Sequence, residues 1–302
     1  MYWIDRRGTP LRMAGITRTG KRRAEVRRLL VVPIILAGMI LSAQLQAQEE
    51  EPVIQIQHSG GRSPSVSDDE AEGPVPRLPD GTVDLTGPWV GGGSNGDIER
   101  DGGLKPGELP LLPWARELRD NRLDQDEPYT ACLPMSVPRV NPYPWKMAMT
   151  YTSRGLTHIY VLHETGDAGA HRVVYMDGRA HPEVPIPTWW GHSIGRWDGD
   201  SLVVDTVGYN DKFWFDSRGT PHTEQLHTIE RYTRINYGRL LHEFTLDDPG
   251  ALSRPVELRF MARLLRPDLK TGGDLMEFIC AEDNQYGAAA GFVPGTGTSN
   301  EQ

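Results

Sequence analysis

The chain has 302 residues, with 33 Gly and 24 Pro; 38% are hydrophobic, 24% are charged and the net charge is −9. This length allows one large domain or two small ones, and the apolar fraction excludes full disorder. The Gly and Pro content excludes a helical bundle, and two Cys exclude both a disulfide-dense mini-scaffold and a four-cysteine zinc site.

In chain order, residues 1–47 read as an address. Residues 1–28 carry nine Lys or Arg against Asp5 and Glu25, and residues 29–41 form an apolar run. Small and polar residues follow, with Leu45-Gln46-Ala47 as a cleavage site. A basic n-region, a short apolar core and a small residue at the cut describe a secretory signal peptide. A membrane anchor needs about 20 apolar residues, and this run stops short. The expectation is a cleaved signal, a periplasmic or secreted product and no stable membrane insertion. Met13 offers a second start, and no Cys lies near the cut to take a lipid.

Losing residues 1–47 removes nine of the 32 basic residues and two of the 41 acidic ones, leaving a net charge of −16. That field repels nucleic acid, and no basic patch interleaved with aromatics offsets it, so no nucleic-acid partner is expected. Export also gives Cys132 and Cys280 a meaning. In an oxidising compartment they are expected to form a disulfide bond.

Residues 48–82 are rich in Ser, Pro, Gly and acids and read as a disordered leader. The folded domain is expected over 83–284, and 285–302 read as a flexible tail. Residues 83–90 read as a first strand. Residues 113–122 read as a short helix with Pro113 at its first position. Residues 128–145, with Pro128, Pro134, Pro138, Pro142 and Pro144, read as an irregular ordered loop around Cys132. Strand-like runs follow at 145–152, 157–164 and 171–177. Residues 192–197 and 201–206 flank Asp198-Gly199-Asp200, a hairpin signal. Further runs lie at 225–235, 239–247, 255–265 and 274–281. Nine or ten short strands without a long helix predict an all-β, mainly antiparallel domain. Its exposed edges are removed by closing into a barrel or folding into a β-sandwich.

Asp84-Leu85-Thr86-Gly87-Pro88-Trp89 places a Gly-x-Trp on the first strand, which is similar to the lipocalin and wider calycin pattern. The stretch 175–234 contains Tyr-Met-Asp-Gly-Arg-Ala-His-Pro, Pro-Thr-Trp-Trp-Gly-His-Ser-Ile-Gly-Arg-Trp-Asp-Gly-Asp and Pro-His-Thr-Glu-Gln-Leu-His-Thr-Ile-Glu-Arg-Tyr. It resembles a large group of exported, uncharacterised bacterial proteins, over residues 83–284. The resemblance implies a calycin-like barrel and carries no catalytic assignment.

Gly191-His192-Ser193-Ile194-Gly195 matches the G-x-S-x-G elbow, but a hairpin follows it where the elbow needs a helix. The histidines are the better signal. His181, His192, His222 and His227 fall close together, with Asp205, Asp211, Glu224 and Glu230 among them. An imidazole moves protons near neutral pH and a carboxylate orients it. His192, His222 and His227 are therefore the candidate acid and base, with Asp205 or Glu224 as orienter. A His/His/carboxylate set also suits a divalent metal, although the spacing picks out no ligand trio and no cofactor motif is present.

Strand alternation puts His192, Ile194 and Arg196 on one face and His227, Ile229 and Arg231 on one face, without saying which looks inward. Trp189, Trp190, Trp197, Tyr209, Phe213, Trp214 and Phe215 bracket the histidines. They describe either an aromatic small-molecule pocket or a plug closing one barrel end. In the pocket reading Arg179, His181, Trp189, Trp190, Arg196, Tyr209, Trp214 and Arg231 bind a small organic substrate. The expected function is an exported acid–base enzyme of the lyase, isomerase, hydratase or hydrolase type. The alternative is a lipocalin-like protein that only binds a small apolar ligand. The sequence leaves the oligomeric state open.

Overall fold

A computed structural model describes residues 65–165, 171–266, 274–276 and 278–280, all within one compact unit. The expected signal peptide, the leader up to residue 64 and the tail lie outside the described residues. Nine strands form a closed barrel: β1 (Trp89–Gly91), β2 (Trp145–Thr152), β3 (Gly155–His163), β4 (His171–Tyr175), β5 (His192–Asp198), β6 (Ser201–Val207), β7 (His227–Arg234), β8 (Arg239–Asp247) and β9 (Val256–Leu264). Strands neighbour one another in chain order, and β1 closes the barrel on β9 through Trp89 opposite Leu264. The barrel is therefore the outcome of the two closures expected, and it abolishes the open edges of a sandwich.

One seam departs from the antiparallel pattern. β4 and β5 are parallel and share two pairs, Val174 with Ser193 and Tyr175 with Ile194. A parallel step cannot be made by a tight turn, so residues 176–191 cross over between them. Gly191 ends this arm at φ +64, and a Cβ there would stand 2.7 Å from Thr206 Cγ2 and 2.8 Å from Val207 O. Glycine therefore lets the arm press against β6 one residue before His192.

Among the described residues three short α-helices decorate the barrel: α1 (Asp68–Ala71), α2 (Ile98–Asp101) and α3 (Pro113–Asn121). α3 starts at Pro113 as expected and buries Ala115 and Arg119. Residues 65–82, read from sequence as leader, are ordered. Ser67 and Glu70 make a reciprocal capping box around α1, and Val66 and Ala71 are buried in the core. Asp68 pairs with Arg239, and Glu70 pairs with Arg266. The first strand is much shorter than 83–90. Residues 76–84 turn on themselves, with Leu78 N donating to Thr82 O and Asp84 N to Pro76 O, so only Trp89 onward reaches the sheet. The described residues of 274–281 lie outside the sheet. Their role is to bring Cys280 to Cys132, with the two Cα atoms 5.7 Å apart in a disulfide.

Two apolar clusters fill the barrel and its ends. One holds Val66, Leu85, Trp89, Trp145, Tyr232 and Leu240; the other holds Ile98, Val137, Tyr209, Phe213, Phe215 and Leu246. A polar set lies within the barrel wall's inner face, built on Arg172, Glu230 and His242, all at most 2% exposed. Among the described residues no helix is long and apolar enough to cross a membrane.

Candidate functional site

Burial settles which way the strands face. On β7, Thr228, Glu230 and Tyr232 are buried while Ile229 is 40% exposed. His227 and Arg231 share the parity of Ile229 and so lie on the outer wall. The register carries this to β6 and β5: Asp205 opposes both Ile194 and Ile229, and His192 opposes Val207. His192, Asp205 and His227 thus step diagonally across three adjacent strands on the outside, at one barrel end. The crossover arm adds His181 from its own side.

These four side chains form one hydrogen-bonded chain. His181 Nδ1 lies 2.9 Å from His192 Nδ1, and His181 Nε2 lies 3.1 Å from Asp205 Oδ1. His227 Nε2 lies 2.8 Å from the same Asp205 oxygen. A carboxylate only accepts, so His181 and His227 each present their Nε2–H to it. Neutral His181 then has a bare Nδ1, which accepts from His192 Nδ1–H. The lone pair of His192 is left on Nε2. Burial first, and then the neighbouring His181 and Arg179, hold the His192 pKa below its ordinary value. Such a chain has the geometry to accept a proton at His192 Nε2 and release another to His181, beside the Asp205 carboxylate.

His181 turns its two nitrogens to opposite neighbours, so the donors do not share one centre. Among the described residues no group of three or more His, Cys, Asp or Glu is placed to hold a metal ion.

Other candidates lie elsewhere. His222 is buried between Phe213 and Phe215, with ring centroids 3.9 Å and 5.0 Å away, and its Nδ1 donates to Thr223 O. Glu224 is exposed beside it in sequence. Neither joins the chain, because the loop before β7 turns into the aromatic cluster before the strand begins. Tyr209 is buried with its hydroxyl 3.0 Å from Thr228 Oγ1. Trp214 is buried under the Arg122 guanidinium at 4.7 Å. Trp189 and Trp190 pack on the same cluster, and Trp190 stacks on His163 at 5.3 Å. Tyr209 thus sits in an apolar cluster at this barrel end, with Trp189 and Trp190 packed half-buried against it, and Trp214 is buried nearby. Arg196 is exposed on the outer face, and Arg231 pairs with Asp198, away from the histidines. Ser193 of the G-x-S-x-G match points inward to Arg172 Nε, 2.8 Å away, and to Thr206 Oγ1, 2.9 Å away.

Sequence reasoning missed Tyr175, which stacks on His192 at 5.1 Å, and Asp177, which holds Arg179. It also missed Arg172 and His242, partners of Glu230. The sequence held no sufficient signal for these partners: Glu230 shares parity with Thr228 and Tyr232, but only burial shows that this face looks inward, where a lone carboxylate demands a cation.

Burial drives the His222 pKa down to about 4 and that of His163 to about 3. A group lowered from 6.5 contributes stability that is complete above 6.5 and is lost as the pH falls towards the folded value. The urea midpoint is therefore expected to fall between pH 7 and pH 4.5, and to fall less in His222→Gln. Equal midpoints for the wild type at both pH values would contradict this.

Comparison with known proteins finds no matching family model, no matching curated protein and no matching solved structure.

Proposed function

We propose that the protein is an exported acid–base enzyme acting on a small organic molecule, with His192 Nε2 as the base. The observation that carries this reading is the unbroken chain from His192 through His181 to Asp205 and His227. A surface ring of histidines has no structural need to share one carboxylate. A base that passes its charge on to His181, where the Asp205 carboxylate stabilises it, fits proton abstraction, as in elimination, isomerisation, hydration or hydrolysis. His181 becomes part of the proton path and His227 an orienter of Asp205. The ligand-carrier alternative has less support, because the barrel interior is filled by side chains such as Trp89, Trp145, Arg172 and Phe244. The disulfide fits an oxidising compartment, and the mature N-terminus is proposed near Gln48.

The test is blind to the substrate. Purified protein is incubated in deuterated water with panels of small carbonyl compounds, hydroxy acids and esters, and deuterium uptake and turnover are read by mass spectrometry. Catalysed exchange or turnover is expected, and His192→Ala should lower its rate by about 10²- to 10⁴-fold. Activity that survives His192→Ala and His181→Ala would overturn the assignment. Apolar ligand recovered with the protein, and no proton transfer, would favour the carrier.

A further inference from the structure

The turn Asp177-Gly178-Arg179 is not used by the proton chain, yet it is built against it. Gly178 has φ +78, a conformation that suits glycine and folds residue 179 back over the end of β4. Asp177 then grips Arg179: its Oδ1 accepts from Nε at 2.8 Å and its Oδ2 from Nη2 at 2.6 Å. The guanidinium lies 3.9 Å from the centre of the Tyr175 ring. Tyr175 also meets His192, stacked at 5.1 Å with the rings 25° apart. His181 closes the column, its ring meeting that of His192 nearly edge-on at 5.1 Å.

We infer that Arg179, gripped by Asp177, is a positioning residue that presses Tyr175 onto His192 and so holds the His192 ring in the plane its hydrogen bond to His181 requires. The inference rests on the reading of His192 as the working base. A planar guanidinium on an aromatic face is a favourable contact, and the bidentate grip of Asp177 removes its freedom to leave. The clamp matters because β4 and β5 share only two pairs at this seam. The backbone alone leaves the start of β5 lightly held. The clamp also shields one face of His192 from water and keeps a cation near it, which agrees with the lowered pKa of this imidazole.

The groups that face His192 are His181 from the arm, Tyr175 from β4 and Arg179 with Asp177 from the turn. Asp205 of β6 acts through His181, and His158 of β3 meets Tyr175 edge-on at 5.4 Å. A test must therefore separate Arg179 acting through Tyr175 from a cation acting at a distance.

The experiment is a histidine NMR titration of the full chain without substrate, with His192 assigned through His192→Gln. Arg179→Gln is expected to raise the proton affinity of His192 about threefold, and Tyr175→Ala to raise it by a similar factor by admitting water. The double variant should shift no further than Tyr175→Ala, because without the ring the guanidinium loses its seat beside His192. Tyr175→Phe keeps the ring and should titrate as the wild type does. No shift in Arg179→Gln, additive shifts in the double variant, or Tyr175→Phe behaving like Tyr175→Ala would each overturn the clamp. Since no substrate is present, the clamp and the proposed catalysis can fail independently. Loss of the clamp leaves His192→Ala kinetics to judge the base, and a silent deuterium assay leaves this titration intact.

Discussion

Glu230→Ala is expected to cost about 3–5 kcal/mol of unfolding free energy, the usual penalty for stranding a buried charge. Glu230 is fully buried on β7. Its Oε1 accepts from the Tyr232 hydroxyl at 2.9 Å and lies 3.1 Å from His242 Nε2. Its Oε2 lies 2.5 Å from Arg172 Nη2, a close contact of charges without hydrogen-bond alignment. Arg172 sends its donors to Ser193 Oγ and Thr206 Oγ1. Removing the carboxylate leaves a guanidinium without a counter-charge in the barrel. Burial alone pushes the Glu230 pKa up, but the Arg172 charge and the His242 hydrogen bond overcome this and hold it down at about 2. A carboxyl lowered from 4.5 contributes stability that is present above 4.5 and is lost as the pH falls through the folded value. Urea unfolding at pH 7 measures the cost. The double replacement Arg172→Met with Glu230→Leu should recover much of it, since two apolar groups leave no charge stranded. A loss below about 1 kcal/mol for Glu230→Ala, the scale of an ordinary surface change, would show that this trio is not held as described.

Replacing Cys132 and Cys280 with Ser is expected to cost about 5 kcal/mol by the chain-entropy relation for so long a loop. The two residues are 148 apart in sequence. Cys132 ends a short 3-10 turn, Pro128–Ala131, and Cys280 is buried against it. The bond therefore ties the segment after β9 to the loop before β2. Lys146 with Asp274, at 2.6 Å, adds a solvent-facing contact whose own contribution is small. Denaturant unfolding with and without reductant reads the effect. An oxidised protein no more stable than the reduced one would remove the disulfide from the account. The same experiment on protein recovered from cells that make it naturally reports whether the thiols are oxidised where the protein works.

Much of the fold was legible because alternation is a local signal. β2 and β8 begin and end where their period-two runs do, and the helix at Pro113 starts on the residue that can lack an N–H. The first strand misled because Val83 and Leu85 alternate like strand residues while the backbone of residues 82–84 bonds to residues 76–78 in a local turn. Residues 65–82 misled because their composition is that of a leader, although a capping box and two buried apolar side chains dock them.

The sequence by itself determined that the chain is β-rich, that its strands number about nine, that Cys132 and Cys280 are the expected pair and that His181, His192, His222 and His227 fall close together with Asp205 among them, without saying which of them meet. Spacing within one hairpin and its neighbours is enough for that, because antiparallel register is set by short turns. Only the tertiary structure decided which strand face is the outer one. It also decided that the parallel β4–β5 seam brings Tyr175 and the arm to His192, and that Tyr209 sits in an apolar cluster at one barrel end with Trp189 and Trp190 packed against it. It set His222 apart from the other histidines and joined Arg172 and His242 to Glu230. These relations depend on barrel closure and on which of two equivalent faces meets the core, and a single chain of alternating residues carries no information about either.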